Sequence, residues 1–158
     1  MAEFYNYSDE IRIFMLVCKA LDKRGWIYAK SEANLYVKFQ LTASGSVTNT
    51  ITIRVDKKRK LVEFVAEAPY TVDYKKFGHM AVAICTLNYK FADGRFDLDL
   101  DTGLVHYVLP ISYRTMTVNE DFVDYIIKCS CFALEKCSAD LRDVSNGKIT
   151  ADYFINNQ

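Results

Sequence analysis

The sequence predicts an α+β domain: an antiparallel sheet of five or six strands with helices packed on one face, in the order α-β-β-β-β-α-β-β-α. Three observations carry this. Apolar residues recur at helical spacing in three separated stretches, 11–21, 73–88 and 117–141, whereas between them they alternate with polar residues at a period of two. Short turn sequences punctuate the alternating runs, as in a meander. Aromatic residues make up 14% of the chain, with 11 Tyr and 10 Phe, which suits a pleated sheet. At 158 residues the chain is one domain's worth and can bury roughly 70% of its unfolded surface without metal or disulfide staples. The reading is therefore a single domain over residues 1–158, whose tail at 146–158 either packs on it or stays peripheral.

Ser8 or Asn6 is placed to cap a first helix bearing Ile11, Phe14, Met15, Cys18 and Leu21. Lys23, Arg24 and Gly25 give its basic last turn and left-handed stop. About four strands follow Trp26. In the first clear one, Leu35, Val37, Phe39 and Leu41 alternate with Asn34, Tyr36, Lys38 and Gln40. Ser44-Gly45-Ser46 turns the chain into Ile51, Ile53 and Val55, and Lys57-Lys58-Arg59 turns it into Val62, Phe64 and Ala66. Pro69 should end that strand, because proline has no backbone donor. Asp73 should cap a second helix running to about Asn88, with Val72 stapled to Phe77. A hairpin around Thr102-Gly103 then joins 91–101 to 104–113, with Phe96, Leu98 and Leu100 on one face and Asp97, Asp99 and Asp101 on the other. Thr117 and Glu120 have the spacing of a capping box opening a third helix, whose apolar face holds Phe122, Tyr125, Ile126, Cys129, Phe132 and Ala133. That helix should end between Leu141 and Val144, before Asn146-Gly147.

Charge and hydropathy narrow the function. Twenty basic residues balance twenty acidic ones, so no overall field draws nucleic acid or an anionic membrane. No apolar stretch reaches the length of a membrane span, and the longest candidate, Ile11 to Cys18, contains Arg12. The first residues lack the basic and apolar regions of a secretory signal, which places the chain in the cytoplasm. Five cysteines, Cys18, Cys85, Cys129, Cys131 and Cys137, mostly among apolar residues, read as reduced thiols.

The element order, the run Leu87-Asn88-Tyr89 followed by Gly94-Arg95-Phe96, the turn Asp101-Thr102-Gly103, Tyr107 and the capped helix from Thr117 together resemble the YbjN family. The resemblance covers residues 10–144. It implies the fold of class I type III secretion chaperones, homodimers that bind extended segments of other proteins, and a role as a sensory-transduction regulator. It carries no catalytic signature and no functional residue set. The Lys57 to Lys60 turn and the tail after Lys148 lie outside its pattern. Asn88 and Gly94 read physically as a side-chain-bonded helix end and a left-handed link into the next strand.

No pattern of reactive residues stands out. Asp97-Leu98-Asp99-Leu100-Asp101-Thr102-Gly103 has alternate carboxylates, but a calcium loop wants Gly and Glu where Thr102 and Val108 stand, so the reading is a solvated strand face. Cys129 and Cys131 on one helix point about 200° apart and can neither bridge nor share a metal. His79 and Cys85 lie on opposite sides of their helix, and only His106 remains as another base. There is no phosphate-binding glycine loop and no nucleophile elbow. Lys57-Lys58-Arg59-Lys60 reads as a solubilising hairpin tip. The second helix is the informative element. Phe77, Met80, Ala81, Ile84 and Leu87 form one apolar face, Gly78, Val82, Cys85 and Tyr89 form another, and Lys76, His79, Ala83, Thr86 and Lys90 mark a polar stripe. A helix so apolar needs cover on two sides, by the sheet and then by either the third helix or a second subunit.

The functional expectation is a non-catalytic protein-binding or regulatory module, chaperone-like and homodimeric, with Gly78, Val82, Cys85 and Tyr89 at a dimer or partner interface. It needs no cofactor or metal and takes a protein partner rather than nucleic acid or membrane. Capture would use exposed sheet edges or apolar grooves beside helices. The alternative is a small-molecule site or an enzyme, using a pocket between sheet and final helix lined by Tyr107, Phe122 and Tyr125, with His106 or an aspartate pointing in.

Overall fold

A computed structural model describes residues 7–156; Asn6, one of the two candidate caps, lies outside them. The chain runs α1 (Asp9–Lys23), β1 (Ala29–Ser31), β2 (Tyr36–Ala43), β3 (Val47–Asp56), β4 (Leu61–Thr71), α2 (Phe77–Lys90), β5 (Arg95–Leu98), β6 (Leu104–Ser112), α3 (Glu120–Asn146) and α4 (Ala151–Asn156). The strands form one antiparallel sheet in the order β1-β2-β3-β4-β6-β5. β1 is the short strand after Trp26 whose position the alternation alone does not give.

Register explains the core. Val37 faces Ile53, Ile53 faces Phe64 and Phe64 faces Leu109, so the apolar residues of four strands land on one side of the sheet. All four are buried. α1 brings Ile13, Phe14, Val17 and Leu21 to that side, and α3 lays down Val123, Ile126, Ile127, Ala133, Leu134 and Leu141. Lys38, Gln40, Thr42 and Arg54 face solvent on the other side.

Several boundaries differ from the sequence expectation. Pro69 does not end β4, which continues to Thr71 through an irregularity in register between Glu67 and Thr71. A residue without an N–H is tolerated where the ladder is already interrupted. Asp73 accepts from the Lys75 amide at 2.9 Å, but this caps a 3₁₀ turn, Tyr74–Lys76, and α2 starts at Phe77. The capping box at Thr117 does not form: Asn119 is the cap, its side chain accepting from the Phe122 amide at 3.0 Å. α3 runs on to Asn146 and stops at left-handed Gly147, since Val144 and Ser145 are still buried. Of the two readings left open for the tail, packing holds: it forms α4 and buries Ala151 and Phe154. β5 spans only Arg95–Leu98, and Leu100 is exposed in the turn that follows.

The α2–β5 connection matches its prediction in the roles of Asn88 and Gly94, although α2 runs on past Asn88 to Lys90. The Asn88 side chain donates to the Phe96 carbonyl at 2.9 Å and accepts from the Phe96 amide at 2.7 Å, which closes the turn as a surrogate backbone pair. Gly94 takes φ +73, and Tyr107 fills the space beside it.

Candidate functional site

α1 carries more apolar residues than the sheet can cover. Phe14 and Val17 point at the core, while Ile11, Met15 and Cys18 fall on its flank and line a groove of about 530 Å3 whose far wall includes Lys30 and Leu35. Ile11 is 36% exposed. The rim charges are already satisfied. Lys30 pairs with Glu32 at 2.7 Å, Lys19 and Lys23 both hold Glu120, and Asp22 accepts the Tyr28 hydroxyl at 2.9 Å. A groove whose wall charges are paired or hydrogen-bonded and whose floor is apolar favours apolar side chains over ions. Burial pushes the Cys18 thiol up, which keeps it protonated and a poor nucleophile. Among the described residues the wall strand, β1, pairs only with β2, and its outer edge has no strand partner. Free strand groups beside an apolar groove are what an added extended segment pairs with.

α2 supplies the second surface. Its buried residues, Met80, Ala83, Ile84 and Leu87, follow the i, i+3, i+4, i+7 pattern of one face. Ala83, read as part of the polar stripe, is fully buried, and Ala81, read as part of the core face, is exposed, because the buried face is rotated toward Ala83 and away from Ala81. The four residues predicted for an interface, Gly78, Val82, Cys85 and Tyr89, lie together on the outward flank. Val82 is 41% exposed and Tyr89 90%, and no atom lies within 4 Å of where a Cβ on Gly78 would be. Of the two covers expected for this flank, α3 does not supply one: among the described residues Val82 and Tyr89 stay exposed.

The alternative pocket is filled. Between sheet and α3 the cavity is about 10 Å3, lined by Asn49, Tyr70, Tyr107 and Ser138 among others, which has room for one water. Tyr107 is 1% exposed in the core, with burial raising its phenol to about 12. His106 stands on the outer face of the sheet, its Nε2 3.6 Å from Glu67. Tyr125 is on the exposed side of α3 and donates to Asp93, not into a pocket. Asp97 pairs with Arg95 at 3.0 Å, while Asp99 closes its own turn, accepting from the Asp101 amide at 2.9 Å and the Thr102 hydroxyl at 2.7 Å. The basic tip is partly neutralised, Arg59 by Asp56 and Glu63, Lys60 by Glu10. Burial holds the thiols of Cys131 and Cys137 above the usual range, that of Cys137 up to about 12.

The sequence reading located the α2 flank but not the α1 groove. The signal was present: Ile11, Met15 and Cys18 widen the apolar arc of α1 beyond the stripe one sheet face covers.

No protein-family model and no curated protein sequence matches this chain. Solved structures do. The chain is similar to the crystal structure of YbjN, a proposed transcription regulator from E. coli, with a TM-score of 0.56 and 11% identity over 80% of this chain and 92% of that one. It is similar also to the crystal structure of the ExsC-ExsE complex, with a TM-score of 0.54 and 13% identity over 81% and 94%. At such identities the likeness establishes the fold, which is YbjN-like and type III secretion chaperone-like.

Proposed function

We propose that this chain is a non-catalytic, single-domain binding module that pairs with a second copy through the α2 flank and captures an extended segment of another protein in the α1–β1 groove. The observation that carries the reading is that the described residues complete the core and leave two apolar surfaces uncovered among themselves, Ile11-Met15-Cys18 on α1 and Gly78-Val82-Cys85-Tyr89 on α2. Support comes from a solved neighbour of the same fold, which was captured as a complex, ExsC with ExsE. Among the described residues no helix is long and apolar enough to cross a membrane, and the cytoplasm is the compartment we assign.

Capture follows from the groove's physics. Two leucine-sized side chains entering it would each gain about 1.5–3 kcal/mol from apolar burial. The free edge of β1 supplies the directional part, backbone pairing that fixes orientation without selecting sequence.

A photo-crosslinking residue placed at Met15 in the native host tests this. The expected result is a discrete protein adduct at Met15, absent from a control crosslinker at His106 and lost when Ile11→Asp is added. Adducts equal at both positions, or none at Met15, would overturn the capture reading.

A further inference from the structure

The cleft where the last turn of α2 meets α3 and α4 has a chemistry that neither docking surface uses. It encloses about 350 Å3, within the range of roughly 300–1,000 Å3 usual for small-molecule sites. Phe91 and Phe154 floor it, and Phe132 stands at its side, 58% exposed. Phe132 was expected in the core face of α3, and its exposure is accounted for if its ring walls a slot.

Its polar side chains are Lys90, Lys136, Cys137, Asp140 and Tyr153. The Lys136 ammonium lies 5.7 Å from the centroid of the Phe132 ring, and Lys90 reaches the same cleft from α2. Neither forms an ion pair among the described residues, and both act electrostatically on Cys137 in the cleft wall. Asp140 sits one helical turn beyond Lys136 on α3 with Cys137 between them. Burial, and then the neighbouring Asp143, hold the Asp140 carboxyl above its usual range. Two uncompensated ammoniums attract a carboxylate, aromatic walls take a flat ring, and a partly desolvated carboxyl favours a hydrogen-bond donor.

We propose that this cleft binds a small aromatic carboxylate carrying a ring N–H, with its carboxylate on Lys90 and Lys136, its ring against Phe132 and its N–H toward Asp140. The proposal is independent of the partner-segment reading, since the cleft lies away from the α1 groove.

Indole-3-acetate is the probe, titrated into the full chain by calorimetry and followed by NMR, with indole-3-acetamide as the uncharged isostere. The account predicts saturable binding at one site per chain, weakened about three- to tenfold for the acetamide and by a similar factor in Lys90→Gln/Lys136→Gln, as expected for partly solvated ion pairs. Phe132→Ala should weaken both ligands alike. All three side chains are exposed, so the variants keep the wild-type melting temperature. Absence of saturation up to millimolar acetate, equal affinity for acetate and acetamide, or undiminished binding in the double lysine variant would each overturn the proposal.

Discussion

Replacing Gly94 by alanine puts a methyl group where Tyr107 already is. A Cβ at Gly94 would lie 2.2 Å from the phenol oxygen and 2.5 Å from its ring carbon, far inside contact distance. The ring has little room to retreat: it is 1% exposed, edge-on to Phe96 at 5.2 Å and to Phe64 at 6.5 Å, and its hydroxyl donates to the Asp93 carbonyl at 3.3 Å. Gly94 also holds φ +73. Gly25, with φ +66 and nothing within 4 Å of a Cβ, shares the backbone strain without the collision and serves as the control. The left-handed conformation costs alanine about 1–2 kcal/mol, and overpacking adds about 1–3 kcal/mol. Gly94→Ala should therefore lose about 2–5 kcal/mol and Gly25→Ala about 1–2 kcal/mol. At about 2–4 °C per kcal/mol for a chain of this size, Gly94→Ala melts about 2–12 °C below Gly25→Ala when followed by circular dichroism. Equal melting temperatures would refute the packing argument and with it the claim that Tyr107 locks the α2–β5 connection.

Other perturbations probe separate parts of the fold. Glu63 is buried on the outer sheet face between Arg54 at 2.5 Å and Arg59 at 3.0 Å; Glu63→Ala should cost about 1–3 kcal/mol in urea unfolding, and a cost near zero would show the clamp to be decorative. Asn119→Ala should cost about 1 kcal/mol as a lost helix cap while Thr117→Ala costs nothing, and the reverse ranking would restore the capping box. Hydrogen bonds from Lys60 hold Glu10 down to about 2, and those from Lys19 and Lys23 hold Glu120 down to about 2, against an ordinary 4.5. A carboxyl lowered in the folded state binds fewer protons there than in the unfolded chain. Its stabilisation is thus whole above about pH 4.5 and is lost as pH falls toward 2. Glu10→Gln/Glu120→Gln should flatten the loss of stability between pH 5 and 2; an unchanged acid limb would show these pairs to be fully screened.

Much of the fold was legible in the alternation itself. Val37, Phe39, Ile51, Ile53, Val55, Val62 and Phe64 all read as inward-facing and are buried, because a period of two leaves one solution once one face is covered. Boundaries were less legible. Thr117 and Asn119 are both good caps two residues apart, and packing chose between them. Pro69 reads as a stop only where a ladder hydrogen bond is required, and here the register slips. α4 was missed because a six-residue helix has too few turns for a period, and it exists through the burial of Ala151 and Phe154. At the candidate site, the α2 flank was visible as a second apolar face. The α1 groove was legible only in part: Ile11, Met15 and Cys18 show as a widened apolar arc on α1, whereas the wall they face, Lys30 and Leu35, is placed by the folded sheet.

The claim on which the functional account turns is that a second copy of this chain covers the flank of α2. Sedimentation equilibrium of the wild type and Val82→Asp, across micromolar concentrations, measures it directly. The account predicts twice the 18.2 kDa chain mass for the wild type and the single-chain mass for the variant, with the variant's fold intact by circular dichroism. A wild type that stays at the single-chain mass throughout, or a Val82→Asp variant that still dimerises, would contradict it.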